Sequence, residues 1–82
     1  MYKRLRDLRE DNDMTQAEIG EILNMSQTGY SQYERGINDV PTSILKKLAL
    51  FYDTSTDYIL ELTDEVKPYP RAKHFINRTE GD

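Results

Sequence analysis

The chain has 82 residues, room for one compact core but not two, because a shorter chain buries a smaller share of its surface. An apolar fraction of 37% and no cysteine exclude a disulfide framework and a thiolate-held metal, so stability must come from side-chain packing, within one subunit or with a second. The formal net charge of −4 argues against indiscriminate nucleic-acid binding, which Lys and Arg drive. The acids are unevenly spread, however. Asp7, Glu10, Asp11, Asp13, Glu18 and Glu21 crowd the first quarter, whereas residues 24–52 hold Arg35, Lys46 and Lys47 against Glu34 and Asp39, a local balance of +1. No stretch is long and apolar enough for a membrane span, and Met-Tyr-Lys-Arg leads directly into a charged periodic segment. A soluble, cytoplasmic protein without membrane contact is expected.

In chain order, Tyr2, Leu5 and Leu8 recur at three-residue steps among Lys3, Arg4, Arg6 and Asp7, which predicts an amphipathic first helix ending near Asn12. Thr15-Gln16-Ala17-Glu18 has the capping-box pattern: the threonine hydroxyl accepts from a free backbone N–H while the glutamate reaches back to the cap. A second helix therefore starts at Thr15. Ile19, Ile22 and Leu23 give it an apolar face, and Asn24, able to adopt the left-handed conformation, stops it. Ser26 caps a third helix running to Tyr33 or Arg35, followed by Gly36, with only Tyr30 and Tyr33 as apolar anchors. The loop Ile37 to Pro41 leads into a fourth helix carrying Ile44, Leu45, Leu48, Ala49 and Tyr52 and ended by Asp53. Ser55 caps a short fifth helix with Ile59 and Leu62. After Thr63 the pattern breaks. Pro68-Tyr69-Pro70 favours an extended path and only Phe75 and Ile76 remain to be buried, so residues 1–62 are read as the folded domain and 63–82 as a tail.

Two short helices joined by a tight turn, the second polar on its outer face, are the layout of a helix-turn-helix. Gly20 lies in the middle of a helix, where it costs about 1 kcal/mol relative to alanine, which points to a close approach of the third helix. Met25 is expected to drop into the core below the turn. Tyr30 and Tyr33 anchor the third helix inward and leave Gln27, Thr28, Ser31 and Gln32 outside. Glutamine can bind adenine in bidentate fashion, and serine and threonine hydroxyls donate or accept at base edges, so this surface suits base reading. A solvated polar face would look the same at any one of these positions. Gly29 in the same helix is read as lowering its profile for close approach to a groove.

The segment Thr15 to Gly36, TQAEIGEILNMSQTGYSQYERG, resembles the helix-turn-helix of the phage repressor and Cro family, also called the xenobiotic-response-element type. Leu5 to Glu10, Ile44 to Tyr52 and Ser55 to Leu60 resemble the family's first, fourth and fifth helices. The resemblance implies an all-α, five-helix, lambda-repressor-like DNA-binding domain. It further implies that Gln16 binds a DNA phosphate through its amide and the helix N-terminus, that Gln27, Thr28 and Gln32 read bases, and that Arg35 and the loop at Gly36 and Asn38 hold the next stretch of backbone. Arg9 would pair with Glu34 as a structural brace. Ser31, on the same face, joins the base-reading set. Several residues depart from the family pattern. Asp39 stands in a loop where many relatives are basic and would repel a phosphate; Lys46 and Lys47 either compensate or are solvated surface. Tyr30 and Tyr33 are larger than the usual aliphatic anchors, and the Tyr33 hydroxyl is placed to reach a phosphate.

Other chemistry finds little footing. His74 is the only histidine and, without cysteines or clustered carboxylates, it cannot assemble a zinc site. Asp11 with Asp13 and Asp64 with Glu65 lie at helix ends or in loops with no nucleophile at hand, and no glycine-rich phosphate loop exists. Neither an enzyme nor a cofactor or metal is expected. The leading expectation is a sequence-specific transcriptional regulator, a repressor that binds a palindromic operator in double-stranded DNA as a homodimer, each recognition helix in the major groove. Exposed Tyr58 and Leu60 on the fifth helix, with Tyr69 and Phe75 in the tail, are the candidate dimer surface; a disordered tail or one folded back on its own domain are the alternatives. The rival function is a protein-binding adaptor, an antitoxin or anti-repressor, which the acidic surface and Asp39 would favour.

Overall fold

Five helices follow one another in the computed structural model, which describes residues 2–70: α1 (Lys3–Asp11), α2 (Gln16–Ile22), α3 (Gln27–Glu34), α4 (Thr42–Phe51) and α5 (Thr56–Ile59). The described residues are all-helical, without a strand. Three of the starts are set by side-chain caps. Thr15 Oγ1 accepts from the Glu18 N–H at 3.1 Å while Glu18 Oε1 accepts from the Thr15 N–H at 2.8 Å, completing the capping box. Ser26 and Ser55 accept from Gly29 N–H and Tyr58 N–H, each at 3.0 Å. The first and fourth helices begin at Tyr2 and Pro41 without a side-chain cap.

All five helices end in the same way. In each, the chain just past the last helical turn bonds back across it, as in Met25 N–H to the Gly20 carbonyl at 2.8 Å and Leu62 N–H to the Asp57 carbonyl at 2.8 Å. This Schellman closure needs a left-handed residue at the turn. Gly36 fills that role for α3, with φ 76°, but Asp13, Asn24, Asp53 and Glu61 fill it for the others at φ 55–64°. Four helix ends thus use residues with a Cβ where glycine would be unstrained.

Leu5 and Leu8 of α1, Ile19 and Leu23 around α2, Tyr30 of α3, Val40 of the loop, Leu48 and Ala49 of α4 and Ile59 of α5 form one buried core. Tyr2, Met14, Met25, Tyr33, Ile44, Leu45, Tyr52 and Tyr58 pack around it. Helices α2 and α3 are the most closely associated pair, α1 packs on α3 and α5, and α4 packs on α5.

As expected, Asn24 takes the left-handed conformation that stops the second helix, whose last residue is Ile22 and whose cap is Leu23. Other expectations are corrected. Ile22 does not join the core but is 48% exposed, and Leu62, expected to be buried by the fifth helix, is 73% exposed because that helix stops at Ile59. Tyr58 is half-buried rather than exposed, since the Arg4 guanidinium lies 4.0 Å above its ring.

Residues 63–70 return onto the domain. Arg4 Nη1 donates to the carbonyls of Tyr58 and Thr63, and Arg4 Nη2 donates to Asp64 Oδ1 at 2.7 Å. The Thr54 hydroxyl donates to the Val66 carbonyl, and the Tyr69 hydroxyl donates to Asp57 Oδ2 at 3.1 Å. The expected tail therefore begins as a strap tied to α1 and α5. His74, Phe75 and Ile76 lie outside the described residues. No helix among those described is long and apolar enough to cross a membrane.

Candidate nucleic-acid interface

The third helix has two faces of opposite character. At about 100° per residue, Gln27, Thr28, Ser31, Gln32 and the capping Arg35 fall within an arc of roughly 140°, and Gly29, Tyr30, Tyr33 and Glu34 fall on the other side. Gln27, Thr28 and Arg35 are exposed and Ser31 and Gln32 half-exposed, whereas Tyr30 and Glu34 are buried. Tyr33 is half-buried against the core. The outward arc is thus short, uncharged and polar, with one cation at its C-terminal end.

The inward arc is held by a polar brace. Glu34, only 5% exposed, accepts from Arg9 Nε at 2.7 Å, from Arg9 Nη2 at 3.2 Å and from Gln16 Nε2 at 3.1 Å. Arg9 Nη1 donates onward to the Met14 carbonyl at 2.9 Å. One carboxylate thereby ties α1, α2 and the loop between them to α3. Burial by itself would raise the Glu34 pKa, but the Arg9 hydrogen bonds, the nearby Tyr30 hydroxyl and the Gln16 amide outweigh it and hold the carboxyl below its ordinary value. The Arg9 pKa is raised in turn, chiefly by its hydrogen bonds to Glu34. The Tyr30 and Tyr52 hydroxyls are buried near this centre without a partner at full hydrogen-bond geometry. Burial first, and the Glu34 charge second, push both phenols upward, Tyr52 to about 12.

Gln16 is therefore not a free amide: one of its N–H hydrogens is directed at Glu34, leaving only the second as a donor to an outside acceptor. It shares the lining of an open hollow of ≈ 300 Å³ with Arg6, Arg9, Glu10, Glu34 and Arg35. Gln16 and Arg35 are thus brought to one place. Arg6, which sequence reasoning did not single out, is there too, held by Glu10 at 3.1 Å. Its spacing of three from Arg9 on an amphipathic helix was the available signal. Lys46 is exposed on α4 and does not line the hollow.

Gln32 and Asn38 meet directly, with Asn38 Nδ2 donating to Gln32 Oε1 at 2.8 Å. Asp39, beside them in sequence, faces the Tyr2 hydroxyl at 3.5 Å, and that hydroxyl accepts from the Val40 N–H at 3.4 Å. The acid in the loop is thus partnered from the N-terminus of the domain.

The two helical glycines have distinct reasons. A Cβ on Gly20 would lie 3.0 Å from the Met25 carbonyl oxygen and 3.3 Å from that of Ser26, so the close approach is to the backbone of the turn. A Cβ on Gly29 would meet Met25 Cε and Ser26 Oγ, both at 3.2 Å. Gly29 therefore faces the turn and the cap, and its reading as a groove-approach residue is replaced by one of internal packing.

Comparison with known proteins agrees with this geometry. A family model described as helix-turn-helix matches residues 5–59. The chain is 37% identical over 75 residues to the uncharacterized HTH-type transcriptional regulator YobD of Bacillus subtilis strain 168, an alignment covering 90% of this chain and 67% of that protein. It is 43% identical over 58 residues to the HTH-type transcriptional regulator ImmR of the same organism, covering 71% of this chain and 46% of that protein. The chain thus spans about two-thirds of one relative's length and under half of the other's. No solved structure matches it.

Proposed function

This chain belongs to the Cro/C1-type helix-turn-helix family of DNA-binding transcriptional regulators, and we propose on that premise that it is a sequence-specific repressor binding a palindromic operator as a homodimer. The observation that carries the reading is the outward arc of α3, with Gln27, Thr28, Ser31 and Gln32 uncharged and accessible on a helix whose opposite arc is locked to α1 and α2. A helix fixed in that way can enter a major groove as a rigid body, and side chains of these types discriminate base edges by hydrogen bonding. Gln16 and Arg35 around their shared hollow, Asn38 in the loop and the Tyr33 hydroxyl are assigned to phosphates, which position the helix without reading sequence. Lys46 is assigned an outlying phosphate on the same face of the duplex. Repression follows from occupancy, since a protein seated in the groove excludes competitors from the same site.

Pairing of two copies is supported by two features. A single α3 offers few base-reading side chains, so two linked modules are needed for operator-level discrimination, and Leu60, Leu62 and Tyr69 leave apolar surface exposed at the α5 end of the domain. Domain extents of 39 × 28 × 23 Å allow two adjacent copies to present their α3 helices at the half-site spacing of about 34 Å.

Selection of bound sites from a random duplex library tests the reading. Two inverted half-sites about 10–10.5 base pairs apart are expected, with random-duplex binding that weakens as salt rises. Absence of any binding at low ionic strength would sink it and favour a protein-binding adaptor.

A further inference from the structure

We infer that Asn38 is a positioning residue that sets which base Gln32 reads, by turning the Gln32 carbonyl toward the loop and leaving its N–H₂ group for the DNA. The inference rests on the base-reading role proposed for α3. The Schellman closure of that helix brings the loop against Gln32: the Ile37 and Asn38 N–H groups both donate to the Gln32 main-chain carbonyl, at 3.0 and 3.4 Å. The left-handed Gly36, at φ 76°, permits the turn. Asn38 is thereby carried to the Gln32 side chain, where its Nδ2 donates to Oε1 at 2.8 Å. Gln32 is also half-buried, unlike the exposed Gln27. Its amide is oriented before any DNA arrives.

Orientation matters because a glutamine amide has an acceptor end and a donor end. Bidentate reading of adenine uses both, the carbonyl toward N6 and the N–H₂ toward N7, whereas guanine O6 and N7 and thymine O4 ask only for a donor. With Oε1 engaged by Asn38, adenine requires that bond to be shared or broken, while the donor end is available at once. Gln32 therefore favours guanine or thymine. Holding a rotamer-rich side chain in place also reduces the ordering cost of binding.

Replacing Asn38 tests this in both directions. Alanine removes the hold on Gln32. Aspartate, which can only accept, draws the Gln32 Nε2 group toward itself and turns Oε1 outward, favouring cytosine N4 or adenine N6.

The experiment uses the full chain and its selected operator. The base pair at which Gln32→Ala loses preference is changed through all four identities, and affinities of wild type, Asn38→Ala and Asn38→Asp are compared at one salt concentration. Wild type is expected to prefer guanine or thymine by roughly fivefold or more. In Asn38→Ala the preference levels, and in Asn38→Asp it reverses toward adenine or cytosine, with other positions unchanged. Any general repulsion between the introduced carboxylate and phosphate lowers all four affinities together and cancels in the ratio. An unaltered preference in Asn38→Asp, a wild-type preference for adenine, or a Gln32→Ala variant that loses preference nowhere overturns the positioning role while leaving α3 a DNA reader. A wild-type chain that discriminates at no position removes the DNA reading, and this inference with it.

Discussion

Removing Arg9 strands the most buried charge in the described part of the protein. The Arg9 and Glu34 side chains are 12% and 5% exposed, and Arg9 supplies two of the three hydrogen bonds that Glu34 receives. In Arg9→Met the carboxylate keeps only the Gln16 amide and the nearby Tyr30 hydroxyl, so the loss belongs to the class of broken buried pairs, about 3–5 kcal/mol. An exposed pair would contribute at most about 1 kcal/mol. A loss of that size takes a large part of the stability of a small domain and lowers Tm by roughly 12–40 °C, at about 4–8 °C per kcal/mol. The Arg9→Met/Glu34→Leu double variant should recover much of it, because no charge is then left buried. The pH dependence supplies an internal control. In wild type, Glu34 is held below its ordinary pKa, so its contribution is complete above the unfolded value of about 4.3 and is lost as pH falls through the lower folded value. In Arg9→Met burial dominates and raises the folded pKa, so the variant should become more stable, relative to wild type, as pH is lowered from about 7 to 5. Urea unfolding at both pH values measures this. A loss below about 1 kcal/mol at pH 7, or a double variant no better than Arg9→Met, would refute the reasoning.

Glu61→Gly should raise stability by about 0.5–1 kcal/mol, because Glu61 holds the left-handed turn after α5 at φ 64° where glycine is unstrained; thermal unfolding reads it, and a fall in Tm contradicts it. Gly20→Ala should be clearly destabilising, since its Cβ would lie 3.0 Å from a backbone oxygen. Gly29→Ala should stay near neutral, because the Met25 methyl can shift and alanine gains about 1 kcal/mol of helix propensity. Comparable losses for the two would show that both sites are equally rigid. Arg35→Ala should weaken binding to all duplexes alike and reduce the salt slope by about 1, as titrations at several salt concentrations would measure.

The chain order of helices was legible because local signals repeat at three of the starts: the Thr15 box and the Ser26 and Ser55 caps each name the residue that begins a helix. Helix ends were harder. Asn24, Gly36 and Asp53 mark the ends of their helices, but Glu61 does not, and the early stop at Ile59 moved Leu62 from core to surface. The strap over residues 63–70 was hidden because it depends on Arg4, nearly sixty residues away, reaching carbonyls that no periodicity reveals. The candidate interface was legible in its residue types, since polar and apolar positions on α3 alternate at helical spacing. Its internal contacts were not. Gln16 to Glu34 and Asn38 to Gln32 are side-chain bonds between elements, and helical spacing gave no hint that either amide is already engaged.

The central claim is that the outward arc of α3 reads DNA sequence. Its most direct test is the ratio of affinities for the selected operator and for random duplex, measured at one salt concentration with wild type and Gln27→Ala. Wild type should favour the operator by roughly 10³-fold or more, and Gln27→Ala should lose about 1–3 kcal/mol on the operator while its random-duplex affinity is unchanged. A wild-type ratio near one, or equal losses on both duplexes for Gln27→Ala, would contradict the claim.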